Sequence, residues 1–219
     1  LGIETPDEES LTECGKFHNK NRDLVSCVKK IQKKGMEVQG GFIVGFDNDK
    51  PSIFERQIQL IQESGIITAM VGILGVLRGT RLYHRLKKEK RLLGEASGTN
   101  IDGSISFVPK MDENTLVAGY KKIVSTIYSP KYYYQRVNTF LKEHRPRIKR
   151  KAHFHFYYLK ALFRSIWYLG MKERGQIYFW KIICSPRNLR IYYLCFRSLI
   201  YCRFSYFSYS FIPISTAAN

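Results

Sequence analysis

Cysteine is present, but never in a spacing that holds a metal. Cys14, Cys27, Cys184, Cys195 and Cys202 form no CxxC or CxxxCxxC pattern, and their number is odd. This argues against a metal or cluster site within the chain and against a secreted disulfide framework. Scattered thiols suit a reducing, cytoplasmic setting. Acid is scarce at one end: residues 151–219 contain one carboxylate, Glu173, against ten Lys and Arg. There is no initiator methionine and no charged leader. The chain opens on Leu1-Gly2-Ile3-Glu4 and reads as a piece of a longer polypeptide. A long uncharged apolar run is missing as well. Residues 191–214 are numerous enough to span a bilayer, but Arg197 and Arg203 lie inside them, each costly at mid-membrane.

What the chain does have is positive charge, +18 over 219 residues, half of it in the last third. A basic tail suggests an anionic partner, either nucleic acid or a lipid surface. The other conspicuous stretch is MEVQGGFIVGFD at 36–47. It predicts a buried strand over 38–46 that ends in a glycine-lined lip. Gly40, Gly41 and Gly45 surround the apolar Phe42, Ile43 and Val44. Glycine inside a strand marks a bulge or the close approach of a ligand or backbone. Ligands of parallel α/β sheets gather at the carboxyl ends of strands, which makes Gly45-Phe46-Asp47 a candidate cofactor lip. The same residues also fit a core strand closed by a tight turn.

Around that strand the chain alternates. Residues 1–5 resemble a strand end, and Pro6 followed by acids opens a short helix. A basic loop runs over 16–22, then Asn21 or Asp23 caps a helix lined by Leu24, Val28 and Ile31 that stops at Gly35. After the strand, Asp49, Pro51 and Ser52 start a helix lined by Phe54, Ile58 and Ile61 that stops at Gly65. A third strand is expected over 66–74 and a basic helix over 81–88. This is the grammar of a parallel sheet with helical crossovers, α/β in class, and three such units bury too little to stand as more than half a barrel. A long loop or extended segment is expected over 94–112. Two helices come next, one lined by Leu116, Tyr120, Ile123 and Ile127, the other by Tyr134, Val137 and Leu141. The expected division is 1–93, 94–150 with its helical extension, and a basic aromatic tail over 151–219.

That tail holds 19 of the 31 aromatic residues. Phe156, Leu159, Phe163, Ile166 and Trp167 recur at helical spacing beside Lys160 and Arg164. Ordinary packing on the rest of the molecule accounts for such a stripe, and so does a helix lying in a membrane interface.

GIETPDEESL, GGFIVGFD, AMVGIL with RGTRLYHRLKKEKRLL, and then TIYSPKYYYQRVNTFLKEHRP and SIWYLGMKERGQIYFWKIICSPR succeed one another in an order that resembles a known family. It is the second half of a radical S-adenosylmethionine (SAM) barrel, in the cobalamin-binding branch that includes hopanoid methylases, with its C-terminal helical extension. The resemblance covers roughly residues 1–190 and fades in the aromatic tail. It implies a partial (β/α) barrel of about three units followed by helices. It also implies SAM, a 4Fe–4S cluster and, in this branch, cobalamin as cofactors. In such enzymes an electron from the cluster cleaves SAM, and the radical formed abstracts hydrogen. The three cluster cysteines and any cobalamin domain would lie outside this chain, which on its own would be inactive. The intact parent would methylate or otherwise modify an unactivated carbon, for instance on a lipid.

The resemblance also implies site residues. Glu4 takes the place that reaches the SAM ribose, where a carboxylate accepts from two vicinal hydroxyls. Lys16 takes the place that binds the SAM carboxylate, where many relatives have Arg. It pairs as a point charge without the bidentate fork. Gly45 and Phe46 would lie along the adenine as backbone contact and apolar wall. Gly41 stands where many relatives carry an acid, so more of the ribose contact falls on Glu4. The bland alternatives are that Glu4 caps the next helix and that Lys16 is merely solvated. A reading from another class is a non-catalytic basic module that docks on a membrane surface or nucleic acid. The dispersed positive charge favours the membrane, with peripheral contact through 151–219.

Overall fold

Three short strands, β1 (Gly2–Glu4), β2 (Gln39–Val44) and β3 (Thr68–Ile73), pair in parallel in the order β1-β2-β3. The structure is a computed structural model and describes residues 1–94, 105–144, 160, 163–164, 166–172 and 175–184. Between β1 and β2 run α1 (Glu8–Glu13) and α2 (Leu24–Lys33), and between β2 and β3 runs α3 (Ile53–Ser64). After β3 come α4 (Arg81–Lys88), α5 (Glu113–Ile127) and α6 (Pro130–Glu143). A π-helical turn at Tyr168–Lys172 precedes α7 (Gln176–Ile183). The expected α/β class, a partial barrel with a helical extension, is what folds.

Side-chain alternation gives the sheet two unlike faces. Ile3, Phe42, Val44, Ala69, Val71 and Ile73 point into the main core, with α3 residues Phe54, Ile58 and Ile61 and α5 residues Leu116, Tyr120, Ile123 and Ile127. The opposite face is nearly bare. Gly2 pairs with Gly41, Gly41 pairs with Met70, and Met70 is 53% exposed. One face is therefore packed by helices, and the other carries a row of two glycines and an exposed methionine.

Local signals set most element ends. Asp7 caps α1 by accepting from the Glu9 and Ser10 N–H groups. Asp23, rather than Asn21, caps α2 by accepting from Ser26 N–H at 3.0 Å, while Asn21 takes a left-handed turn with φ 53°. The strands are shorter than expected, at 39–44 and 68–73, because the parallel ladder pairs only those residues. Between α4 and α5 the described residues form no helix. Leu92 and Phe107 form an antiparallel bridge, and Phe107 joins Phe46, Leu74, Val76 and Leu86 in a second apolar cluster. The buried stripe of α6 is rotated from the expected one and consists of Arg136, Val137 and Phe140. Tyr134 instead stacks on Tyr178 of α7, with ring centroids 6.4 Å apart. The basic linker over 145–151, Phe156, Leu159 and residues 191–214 lie outside the described residues.

The α3–α5 contact depends on one missing side chain. A Cβ on Gly119 would stand 2.2 Å from ring atoms of Phe54. Alanine favours a helix interior over glycine by about 1 kcal/mol, but overpacking an intact core costs about 1–3 kcal/mol and this overlap is severe. We expect Gly119→Ala to destabilise the chain by about 2 kcal/mol in chemical denaturation. A neutral or stabilising result would mean that the two helices part at no cost.

Candidate functional site

Lys16 reaches β1 because α1 stops abruptly. Gly15 comes after the C-cap Cys14 with φ 73°, Gly15 N–H donates to Thr12 O at 3.1 Å, and Lys16 N–H donates to Leu11 O at 2.8 Å. These are the two bonds of a glycine-terminated helix end, which reverses the chain. Asn19, in the next 3-10 turn (Phe17–Asn19), donates from its side-chain amide to Gly2 O and Ile3 O, both at 3.2 Å, and so holds β1 from its edge.

Glu4 ends β1 with φ 68°, a left-handed conformation that costs an L-residue about 1 kcal/mol. Its carboxylate meets the Lys16 ammonium at 2.8 Å, and its side chain is only 14% exposed. Both head groups lie directly over Gly2. A Cβ there would stand 2.5 Å from Glu4 Oε1 and 2.8 Å from Lys16 Nζ. Beside it, a Cβ on Gly41 would meet nothing closer than Leu1 O at 3.8 Å. An acid–base pair thus hangs over Gly2 at the carboxyl end of a parallel strand, with open space over Gly41 beside it. Strain in a non-glycine residue at such a place is characteristic of functional sites.

The lip of β2 is built differently. Gly45 has φ 102°, and a Cβ there would press on Leu116 Cδ2 at 3.2 Å. The N–H groups of Gly45 and Phe46 both donate to Asp49 Oδ2, at 2.8 and 3.1 Å, while Ser10 Oγ donates to Asp49 Oδ1 at 2.9 Å. Burial pushes the Asp49 carboxyl above its usual range, against the pull of those three donors. The Phe46 ring is buried in the second cluster. Among the residues singled out from sequence, then, Glu4 and Lys16 meet directly over Gly2, and Gly41 lies in register beside Gly2 with open space above it. Gly45 and Phe46 end the adjacent strand with their amides committed to Asp49.

Asp47, one residue on, ties this lip to α4 and the segment after it. It accepts from both terminal nitrogens of Arg91, at 2.6 and 3.0 Å, and pairs with Arg85 at 3.2 Å, with its side chain 5% exposed. Glu13 of α1 completes the knot, bonding Arg85 at 2.6 Å and accepting from Asp47 N–H at 3.1 Å. Arg91 foremost, by hydrogen bonding, holds the Asp47 carboxyl below its usual range. Sequence reasoning named Asp47 only as part of the lip and missed Ser10, Glu13, Asp49, Arg85 and Arg91 in this role. The one available signal was the pair of acids in FDND directly after a left-handed glycine, since aspartate readily bonds backbone N–H groups nearby. Among the described residues, no group of three His, Cys, Asp or Glu is placed to hold a metal.

A family model described as a domain of unknown function (DUF4070) matches residues 80–213, beyond the point where the resemblance was expected to fade. The chain is 37% identical over 183 residues to an uncharacterized methyltransferase of Synechocystis sp., covering 82% of this chain and 34% of that protein. It is 30% identical over 194 residues to a hopanoid C-2 methylase of Rhodopseudomonas palustris, covering 83% of this chain and 35% of that protein. It is 25% identical over 91 residues to a bacteriochlorophyllide d C-12(1)-methyltransferase of Chlorobaculum tepidum, covering 42% and 20%. The chain spans about a third of the length of the first two relatives. The likeness to the hopanoid methylase-like branch of radical SAM proteins, read from the motifs, is met by these relatives.

Proposed function

We infer that this chain, which belongs to the DUF4070 family, supplies the SAM-facing C-terminal half-barrel of a methylating radical SAM enzyme. The observation that carries this reading is the Glu4–Lys16 pair held over Gly2 by a strained backbone. A ligand with a vicinal diol and an amino-acid end fits that donor set. The Glu4 carboxylate accepts from two hydroxyls, the Lys16 ammonium binds a carboxylate, and the open space over Gly41 admits a flat group beside them. In this state the two side chains satisfy each other, so the ligand would exchange one ion pair for its own polar groups rather than meet bare charges.

When bound, SAM together with a 4Fe–4S cluster would supply the radical and methyl-donor chemistry, and cobalamin is the further cofactor of the branch. Cluster and cobalamin would be held by parts of the parent polypeptide outside this chain. The chain's own residues bind and orient. Asn19 fixes β1, Asp49 fixes the turn at Gly45-Phe46, and Asp47 fixes the lip to α4 through Arg85 and to the segment after it through Arg91. Among the relatives two are named for methylation of a hopanoid and of a bacteriochlorophyllide, which supports an apolar substrate such as a lipid.

The test is SAM affinity of the parent polypeptide by titration calorimetry. Glu4→Gln keeps the shape but replaces an anionic acceptor, and hydrogen bonds to charged groups are worth about 1.5–3 kcal/mol, so the dissociation constant should rise about tenfold or more. Lys16→Met should weaken SAM but not adenosine, which lacks the carboxylate. Unchanged SAM binding in both folded variants would sink the assignment. The competing reading, a basic module without catalysis, predicts no SAM binding by the parent at all.

A further inference from the structure

The segment leading into α7 carries an exposed apolar surface that the site does not use. Residues 160, 163–164 and 166–167 are helical, and the π-helical turn Tyr168–Lys172 continues them. Two rows run along this segment at a spacing of four. Phe163, Trp167 and Met171 form one row, and they are 64%, 53% and 59% exposed. Lys160, Arg164, Tyr168 and Lys172 form the other, also exposed, with the Lys172 ammonium over the Tyr168 ring at 5.5 Å. Side chains four apart share a helix face, so the apolar and basic rows lie side by side. The inner side is spoken for. Leu169 and Gly170 are buried, Trp180 Nε1 donates to Gly170 O at 3.0 Å, and Tyr178 of α7 stacks on Tyr134 of α6. Phe163 and Trp167, read from sequence as packing residues or as an interface, therefore face away from the molecule.

We propose that this two-row surface docks on an anionic lipid bilayer, with Phe163, Trp167 and Met171 at the acyl boundary and Lys160, Arg164 and Lys172 at the headgroups. Such docking does not require that the chain belong to a methylating enzyme. Glu173 is the single acid of residues 151–219, so little nearby in the sequence neutralises the basic row. Anionic headgroups attract such a row, and tryptophan with large apolar neighbours sits at the headgroup level. A second copy of the chain fits worse, because a two-fold contact brings the basic row close to itself. Nucleic acid would find rings at Phe163, Trp167 and Tyr168, but stacking on them leaves Met171 in water, whereas a bilayer buries the whole apolar row.

The experiment uses the full chain with vesicles of phosphatidylcholine alone or mixed with phosphatidylglycerol. Trp180→Phe leaves Trp167 as the one tryptophan of the two. Its emission should shift to the blue with the anionic vesicles and be quenched by brominated acyl chains. Sedimentation of the otherwise unaltered chain keeps the test independent of any disturbance at Trp180. Removing the three charges in Lys160→Gln, Arg164→Gln and Lys172→Gln should weaken vesicle binding about a hundredfold, at about fivefold per charge. Replacing Phe163 and Met171 with serine, with Trp167 kept as the probe, should remove most of the blue shift and of the quenching. Binding that is equal for both variants and the parent overturns the proposal. So does a Trp167 shift that tracks protein concentration without vesicles, which would mean self-association, or one that appears only with RNA.

Discussion

Arg136→Ala is expected to lower the folding free energy by about 4 kcal/mol, a large share of the stability of a chain this size. The guanidinium is fully buried in α6 and reaches three elements at once. One terminal nitrogen donates to Gln62 Oε1 of α3 at 2.7 Å and to Ile127 O, at the carboxyl end of α5. The other donates to Ile67 O, just ahead of β3, at 3.4 Å. No carboxylate pairs with it among the described residues, and desolvation pulls its pKa down to about 10. The cation is kept by the negative end of the α5 dipole and by the faces of Tyr128 and Tyr133, 5.7 and 5.8 Å from its centre. Truncation would leave buried carbonyls without donors, each costing about 1–3 kcal/mol. Arg136→Lys should recover only part of the loss, because an ammonium cannot span acceptors on three elements. Denaturant midpoints at constant slope give the comparison. An Arg136→Ala chain within about 1 kcal/mol of the parent would show that the buried carbonyls find other donors.

Asp47→Asn is expected to cost about 2–3 kcal/mol at neutral pH, because it takes the anion out of a knot of two arginines while leaving them partly buried. Arg85 is more exposed than Arg91, which holds the figure below the about 3–5 kcal/mol of a fully buried pair. The pH dependence carries a definite sign. The folded carboxyl titrates below its unfolded value, so its stabilisation is complete above about pH 4 and is lost as pH falls through the lower folded value. Asp49 works in the opposite direction. Its folded pKa is raised, so the folded chain takes up a proton first, and acidification from neutral relieves its burial cost. Stability of the Asp47→Asn chain should therefore fall less steeply in acid than that of the parent. Parallel acid limbs for the two chains would show that the Arg91 bond contributes nothing.

The candidate site was legible to unequal degrees. Glu4 and Lys16 were reached through a motif order, and the structure adds the reason they meet, a helix stop at Gly15 that turns the chain back over β1. Asp49 was read as a helix starter, although its carboxylate bonds the turn behind it. The helical pattern of α6 points to Tyr134 rather than Arg136, because an isolated arginine in such a pattern ordinarily faces solvent. Its burial makes sense only once three acceptors from distant parts of the chain converge on it.

By itself the sequence determined the alternation of strands and helices, most of their caps, the one-sided apolar stripes and the acid-poor tail. All of these are set by residues within a few positions of one another, through backbone preference and periodicity. Only the tertiary structure decided which face of the sheet stays bare, how far Gly2 and Gly119 let their neighbours approach, and which side chains of segment 160–172 point outward. Those depend on contacts between elements far apart in the chain, whose geometry local preference does not encode.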